Sequence, residues 1–267
     1  MQYGHNLVLI MPLLSDAEQQ QINELSYTTE TLATGKVGRV SIMGTPTSIA
    51  AIVCTLPEPG KAENGAPLWT PAESAWINRS TYHMLSIIRL TWDDQADFFK
   101  PQDHGIFSAS SFSNDEKPTF FLRAEMIAPK QPVDAQLLAT SYAVTSERNL
   151  HHIMDLLSES HSTRIPSHYR FLALYKIIEL EHPRKTGDFH SSMDEEFGAL
   201  KIGAKPLRKL LPQLRVKIAH ALATGATSPG LDDIDRDAVS TLIPIMQKAI
   251  RNDIAERHGL RFEIIPG

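Results

Sequence analysis

A single cysteine, Cys54, stands among 267 residues, and that scarcity removes two classes at once. One thiol closes no intrachain disulfide and completes no cysteine-based zinc site, so stability is expected from ordinary packed cores in a reducing compartment, the cytoplasm by default. Long hydrophobic runs are missing too. No stretch approaches about 18 apolar residues free of charge, which leaves no candidate membrane span. The opening MQYGHNLVLIMPLLSDAEQQ lacks a basic start and a small-residue cleavage site and does not read as a signal peptide. Positive charge is in deficit: 26 Lys and Arg face 31 Asp and Glu, giving a net charge of -5 and a pI near 6.1. A globally basic protein that coats nucleic acid is therefore excluded. Neither internal repeats nor low-complexity tracts occur, so solenoids are out. GKVGRVSIMGTPT lacks both the Lys-Ser/Thr ending of a phosphate loop and the dinucleotide spacing, and no nucleophile-elbow motif is present.

What is present is a globular composition, 42% hydrophobic, enough for one or two packed cores. The halves differ in pattern. Up to about Ala128 the chain shows short strand-like runs, His5 to Ile10, Val37 to Met43, Ser48 to Leu56 and Thr119 to Ile127, divided by Gly, Pro and Asn clusters. One helical pattern interrupts them, from Ala72 to about Leu90, with Trp76, Tyr82 or His83, Ile87 and Leu90 on its stripe, Thr70 as N-cap and Pro71 in the first turn. Cys54 falls in a predicted strand and reads as a core residue. The later sequence predicts helices over Ser146 to Glu159, Ser167 to Glu181, Ser192 to Ile202, Pro206 to Ala223 and Ile234 to Arg257, with Arg261 to Ile265 as a short strand or tail. Five amphipathic helices bury their stripes most simply against one another. The expected fold class is α+β: a mixed N-terminal module over residues 1–140 and a helical bundle over 141–267.

The charge deficit hides a local excess. Lys201, Lys205, Arg208, Lys209, Arg215 and Lys217 give +6 within 20 residues that contain no Asp or Glu. Such a run is either a solvated helix face or an anion site, since clustered Lys and Arg attract phosphates. Within it, LRVKIAHALATG sets His220 five positions after Arg215. Arg offers a permanent forked charge for a phosphate, and His exchanges protons near neutrality. Together they supply the parts for metal-independent RNA cleavage, in which a 2'-hydroxyl attacks the neighbouring phosphate and His serves as general acid or base. Five helical positions turn by about 140°, so the pair converges poorly on one helix, and a two-fold dimer is the natural remedy. The bland alternative makes His220 a helix-end residue and pairs Arg215 with a carboxylate from Asp232 to Asp237.

HYRFLALYKIIELEH followed by LRVKIAHALATG resembles HEPN-type domains, in particular the MauJ-type methylamine-utilisation proteins and related HEPN-like chains, over about residues 145–258. The resemblance implies a helical bundle whose Arg and His signature lies on a late helix, and a homodimeric endoribonuclease or RNA-binding protein. It makes Arg215 the phosphate-binding cation and His220 the proton donor or acceptor, with Arg208, Lys209 and Lys217 as further phosphate-binding residues. Active members usually carry Asn or Asp directly after the Arg; here the residue is Val216. The competing reading is a non-catalytic dimerising interaction or regulatory protein, its N-terminal module binding a ligand or partner. Arg251-Asn252 to His258 is a second, weaker match, flanked by Asp253 and Glu256. His151, His152, His161 and His168 read as a solvated helix edge in preference to metal ligands, Asp93, Asp94 and Asp97 as a solvated turn, and Glu179, Glu181 and His182 as surface groups. No cofactor, metal or membrane is implied; RNA and a second copy of the chain are the expected partners.

Overall fold

The computed structural model describes residues 1–11, 20–93, 96–99, 108–122, 132–162, 165–183, 207–223 and 233–260. It is a mixed α+β protein with a curled antiparallel sheet, six helices among the described residues, and a helical C-terminal part. Two compact units form, Met1–His151 and His152–Phe262. None of the described helices is long and apolar enough to cross a membrane.

The first unit is built on β1 (Tyr3–Met11), β2 (Gln20–Thr31), β3 (Val37–Thr45) and β4 (Ser48–Pro57). These pair antiparallel in the order β1-β4-β3-β2. Beyond β1 lie β7 (Asp97–Phe98) and β8 (Ser108–Ser113), and beyond β2 lies β9 (Phe120–Leu122). A separate two-stranded ribbon joins β5 (Gly60–Lys61) to β6 (Pro67–Leu68). Nearly every residue of β3 and β4 is buried, and the unbroken apolar run IAAIVC is what a strand covered on both faces requires.

α1 (Pro71–Thr91) covers one face. Its start follows the predicted chemistry: Glu73 N–H donates to the Thr70 hydroxyl at 3.3 Å, Thr70 N–H donates to the Glu73 carboxylate at 2.8 Å, and Pro71 occupies the first turn. Gly38 lets the helix approach β3, because a Cβ there would meet the Trp76 ring at 2.5 Å. The other face carries Leu9, Ile22, Met43, Ala51 and Val53, flanked by Leu7, Phe99 and Phe120.

α2 (Ala135–Glu147) departs from the expected helix set. Its N-cap Asp134 accepts from Leu137 N–H at 2.8 Å, but its buried positions are Leu138, Ser141, Tyr142 and Thr145, too polar to show a stripe. The helix expected from Ser146 to Glu159 is in fact interrupted. Asn149 takes φ 55°, and the hydrogen bond from Leu150 N–H to Thr145 O at 2.8 Å closes α2 before α3 (His151–His161) begins. Because α2 packs on β2 and α1, it belongs to the first unit, and the division falls at 151 where 140 was expected.

In the second unit α4 (Ser167–Glu181) packs against α5 (Leu207–Ala223) and α6 (Asp233–His258). Phe171, Leu174 and Ile178 of α4, Leu211, Leu214 and Ile218 of α5, and Leu242, Met246, Ile250 and Ile254 of α6 are all essentially inaccessible. α3 is tied in by polar contacts: Arg170 Nε donates to Ser160 O at 2.6 Å, and Gln247 Nε2 donates to the same oxygen at 2.8 Å. Ser192 to Ile202 and Arg261 to Ile265 lie outside the described residues.

Candidate phosphate-binding face

α5 contains no acidic residue along Leu207–Ala223. Leu210, Leu211, Leu214 and Ile218 turn inward at helical spacing, which leaves Lys209, Gln213, Val216 and Lys217 exposed on the opposite side. Arg215 sits between these sectors. Its Nη2 lies 3.0 Å from Glu179 Oε1 of α4, with the two side chains 42% and 30% exposed. Lys176 approaches the other Glu179 oxygen at 3.7 Å, so one carboxylate serves two cations. Burial and the neighbouring Glu179 carboxylate raise the Tyr175 hydroxyl above its ordinary pKa, and Arg215 opposes them. Glu179, on a different helix, is thus a carboxylate partner of Arg215; the side chains of Asp232 to Asp237, expected in that role, lie outside the described set.

Arg208 and His220 lie on α5, but their side chains, like residues Lys201 and Lys205, fall outside the described set. Position 220 follows Arg215 by a turn of about 140° and shares the angular sector of Lys209, Gln213 and Val216. Within one chain the structure therefore brings Arg215 together with Glu179 and does not set position 220 in the same sector. Val216 is 47% exposed, an apolar side chain amid the cations.

The second Arg and His match has a different environment. Arg251 is buried and its pKa is lowered by that burial, while His258 Nε2 lies 2.9 Å from Glu181 and His182 Nε2 lies 2.9 Å from Asp253. Arg257 also reaches Asp253 at 3.2 Å. These contacts clamp the C-terminal ends of α4 and α6. Glu181 and His182, expected as surface groups, are instead partners in this clamp. The His151 ring lies 4.2 Å from that of His83 and the His168 ring 4.4 Å from that of Tyr169, both tilted; among the described residues no group of three or more His, Cys, Asp or Glu is placed to hold a metal ion.

Two polar centres of the first unit fall outside the candidate sites read from the sequence. On the sheet face away from α1, Arg39 Nε and Nη2 donate to the two oxygens of Glu24 at 3.0 and 2.5 Å, Ser41 Oγ donates to Glu24 Oε1 at 2.6 Å, and the Tyr27 ring covers the guanidinium at 3.4 Å. Along the same cross-strand row, His5 Nδ1 meets Thr55 Oγ1 at 2.8 Å. Burial lowers the His5 pKa, and Asp115 works against it. On the helix side His83 Nε2 meets Thr145 Oγ1 at 2.7 Å, and burial, reinforced by His151 and Arg79, lowers its imidazole to about 3. Cys54 is fully buried beneath α1, where burial pushes its thiol up to about 12; it is a core group with no nucleophilic thiolate. A charged residue on a central strand, such as Arg39 on β3, is the one sequence cue that marks such a centre.

No family model matches the chain, and no curated protein or solved structure does.

Proposed function

We propose that the helical unit is a HEPN-like module that binds RNA, or another phosphate-rich ligand, along the exposed side of α5 and acts as a homodimer. The observation that carries this reading is the acid-free helix with Lys209 and Lys217 in solvent and Arg215 held at its border by a partly exposed carboxylate. An ion pair of that exposure contributes at most about 1 kcal/mol, so a phosphate can take the place of Glu179 without a large penalty. Bidentate donation from Arg then fixes one phosphate, and the lysines add point charges on the flanking ones. In the catalytic form of this reading Arg215 stabilises the phosphorane charge and His220 moves the proton of the attacking hydroxyl. The 140° turn between them makes each site depend on the partner subunit.

The test is anisotropy of a labelled single-stranded RNA between about 50 and about 200 mM salt, with cleavage followed in chelator. Binding should weaken with salt, and Arg215→Ala should lower the logarithmic salt slope by about 0.7. Metal-free cleavage lost in both Arg215→Ala and His220→Ala would support catalysis. Absence of RNA binding at low salt overturns the reading. A second reading then stands, a non-catalytic interaction protein; the specific observation favouring it is Val216, half exposed beside an Arg already engaged by Glu179.

A further inference from the structure

The first unit contains a cavity of about 280 Å³ between α1 and the β1 side of the sheet. Five of its lining residues, Ser74, Ile77, Asn78, Thr81 and Tyr82, follow the i, i+3, i+4, i+7, i+8 spacing of a single helical face. A face turned to a sheet is ordinarily apolar, yet Ser74, Asn78 and Thr81 carry hydrogen-bonding groups. The sheet wall repeats the pattern with Asn6 of β1 and Ser108 of β8.

Three aromatic rings complete the cavity. Trp69 is seated on Gly4, where a Cβ would come within 2.6 Å of its ring, so the indole is held by the strand beneath it. Tyr82 meets Phe98 edge to face, with centroids 5.1 Å apart and an interplanar angle of 88°. None of the described lining residues is an Asp, Glu, Lys, Arg or His. A phosphate, carboxylate or ammonium would lose hydration there and find no counter-charge among these residues, which disfavours ionic ligands.

An asparagine amide presents a donor and an acceptor side by side, the arrangement that complements the edge of a nucleobase. Asn6 Oδ1 already accepts from Ser110 Oγ at 3.1 Å, which leaves its NH2 group as a donor. Aromatic side chains supply planes on which an unpaired base stacks. The volume lies at the lower bound of ligand pockets, about 300 Å³, and suits one ring system and not a dinucleotide. We propose that this cavity binds an uncharged nucleobase-type heterocycle, stacked on the Trp69, Tyr82 and Phe98 wall and hydrogen-bonded by Asn6 and Asn78. This site is separate from α5 and does not rest on the reading given to that helix.

Titration calorimetry of the full chain with adenine, guanine, cytosine and uracil tests it, with adenosine monophosphate and methyl glucoside as further arms. Saturable binding of at least one base is expected, with the monophosphate binding no tighter than adenine. Asn78 is exposed, so Asn78→Leu should leave the melting temperature unchanged while weakening the base by about tenfold. Trp69→Leu should weaken it too. The proposal is overturned if no base binds at millimolar concentration, if the glucoside alone binds, if the monophosphate binds where adenine does not, or if Asn78→Leu keeps full affinity.

Discussion

Arg39 in the sheet unit and Arg215 in the helical unit each pair with a glutamate, and the two pairs behave as opposites. The Arg39 side chain is 6% exposed and Glu24 12%, with two parallel hydrogen bonds, a serine on the carboxylate and a tyrosine ring over the cation. Arg215 and Glu179 stand 42% and 30% exposed with a single contact at 3.0 Å. Position in the fold makes the difference: a central strand has no solvent side, whereas a helix on the rim of a bundle keeps one. The Arg39 pair is enclosed by its neighbours, and the Arg215 pair stays screened by solvent.

The sharpest way to break this contrast is Arg39→Ala. It strands Glu24 in a buried site and should destabilise the first unit by about 3–5 kcal/mol in denaturant unfolding. Replacing both partners, Arg39→Met with Glu24→Leu, should recover most of that loss. In the second unit the corresponding vulnerability is apolar. Leu214 is 1% exposed, and Leu214→Ala should cost about 2–5 kcal/mol, with hydrogen exchange accelerated in α4 and α5 and unchanged in the sheet.

His83 adds a pH dependence to the sheet unit. Its native pKa of about 3 lies below the ordinary 6.5, so the unfolded chain binds a proton over that interval and the folded one does not. Stability from this group is complete above about pH 6.5 and falls by about 1.4 kcal/mol per pH unit as pH drops toward 3. Stability measured by chemical unfolding between pH 6.5 and 4.5 should fall more steeply in the wild type than in His83→Gln by about that amount. The smallest expected effect is Arg215→Ala, under about 1 kcal/mol on stability, since its pair is solvent-screened. A loss several times larger would move Arg215 from ligand recognition to structural support.

Much of the architecture was legible where local chemistry and burial agree. α1 begins at the Thr70 and Pro71 predicted for it, and α4 spans the Ser167 to Glu181 of its apolar stripe. β2 and β8 were missed for a common reason. QQINELSYTTET and SASSFS are polar strings whose strand state is imposed by neighbours: Glu24 is drawn inward by Arg39, and the serines of β8 pair with β1. α2 was hidden because its inward face carries Ser141 and Thr145, the Thr145 hydroxyl meeting His83 and donating to the Ser141 carbonyl. For the candidate site, the cationic run was readable but its partner was not. Glu179 belongs to another helix, and nothing in a linear charge pattern reports which carboxylate tertiary packing delivers.

β1 is paired along both edges, Tyr3 facing Pro57 on one side and Ser113 on the other. The second edge of β1 is therefore covered by residues about a hundred positions downstream in the chain. During translation that edge stays open while β2, β3 and β4 assemble as local hairpins, and a bare edge is a template for intermolecular pairing. Closure of β8 onto β1 is a non-local event, and non-local pairings set slow folding. The vulnerable species of this protein is accordingly a chain in which β8 has yet to pair with β1, so that this edge of the sheet is bare.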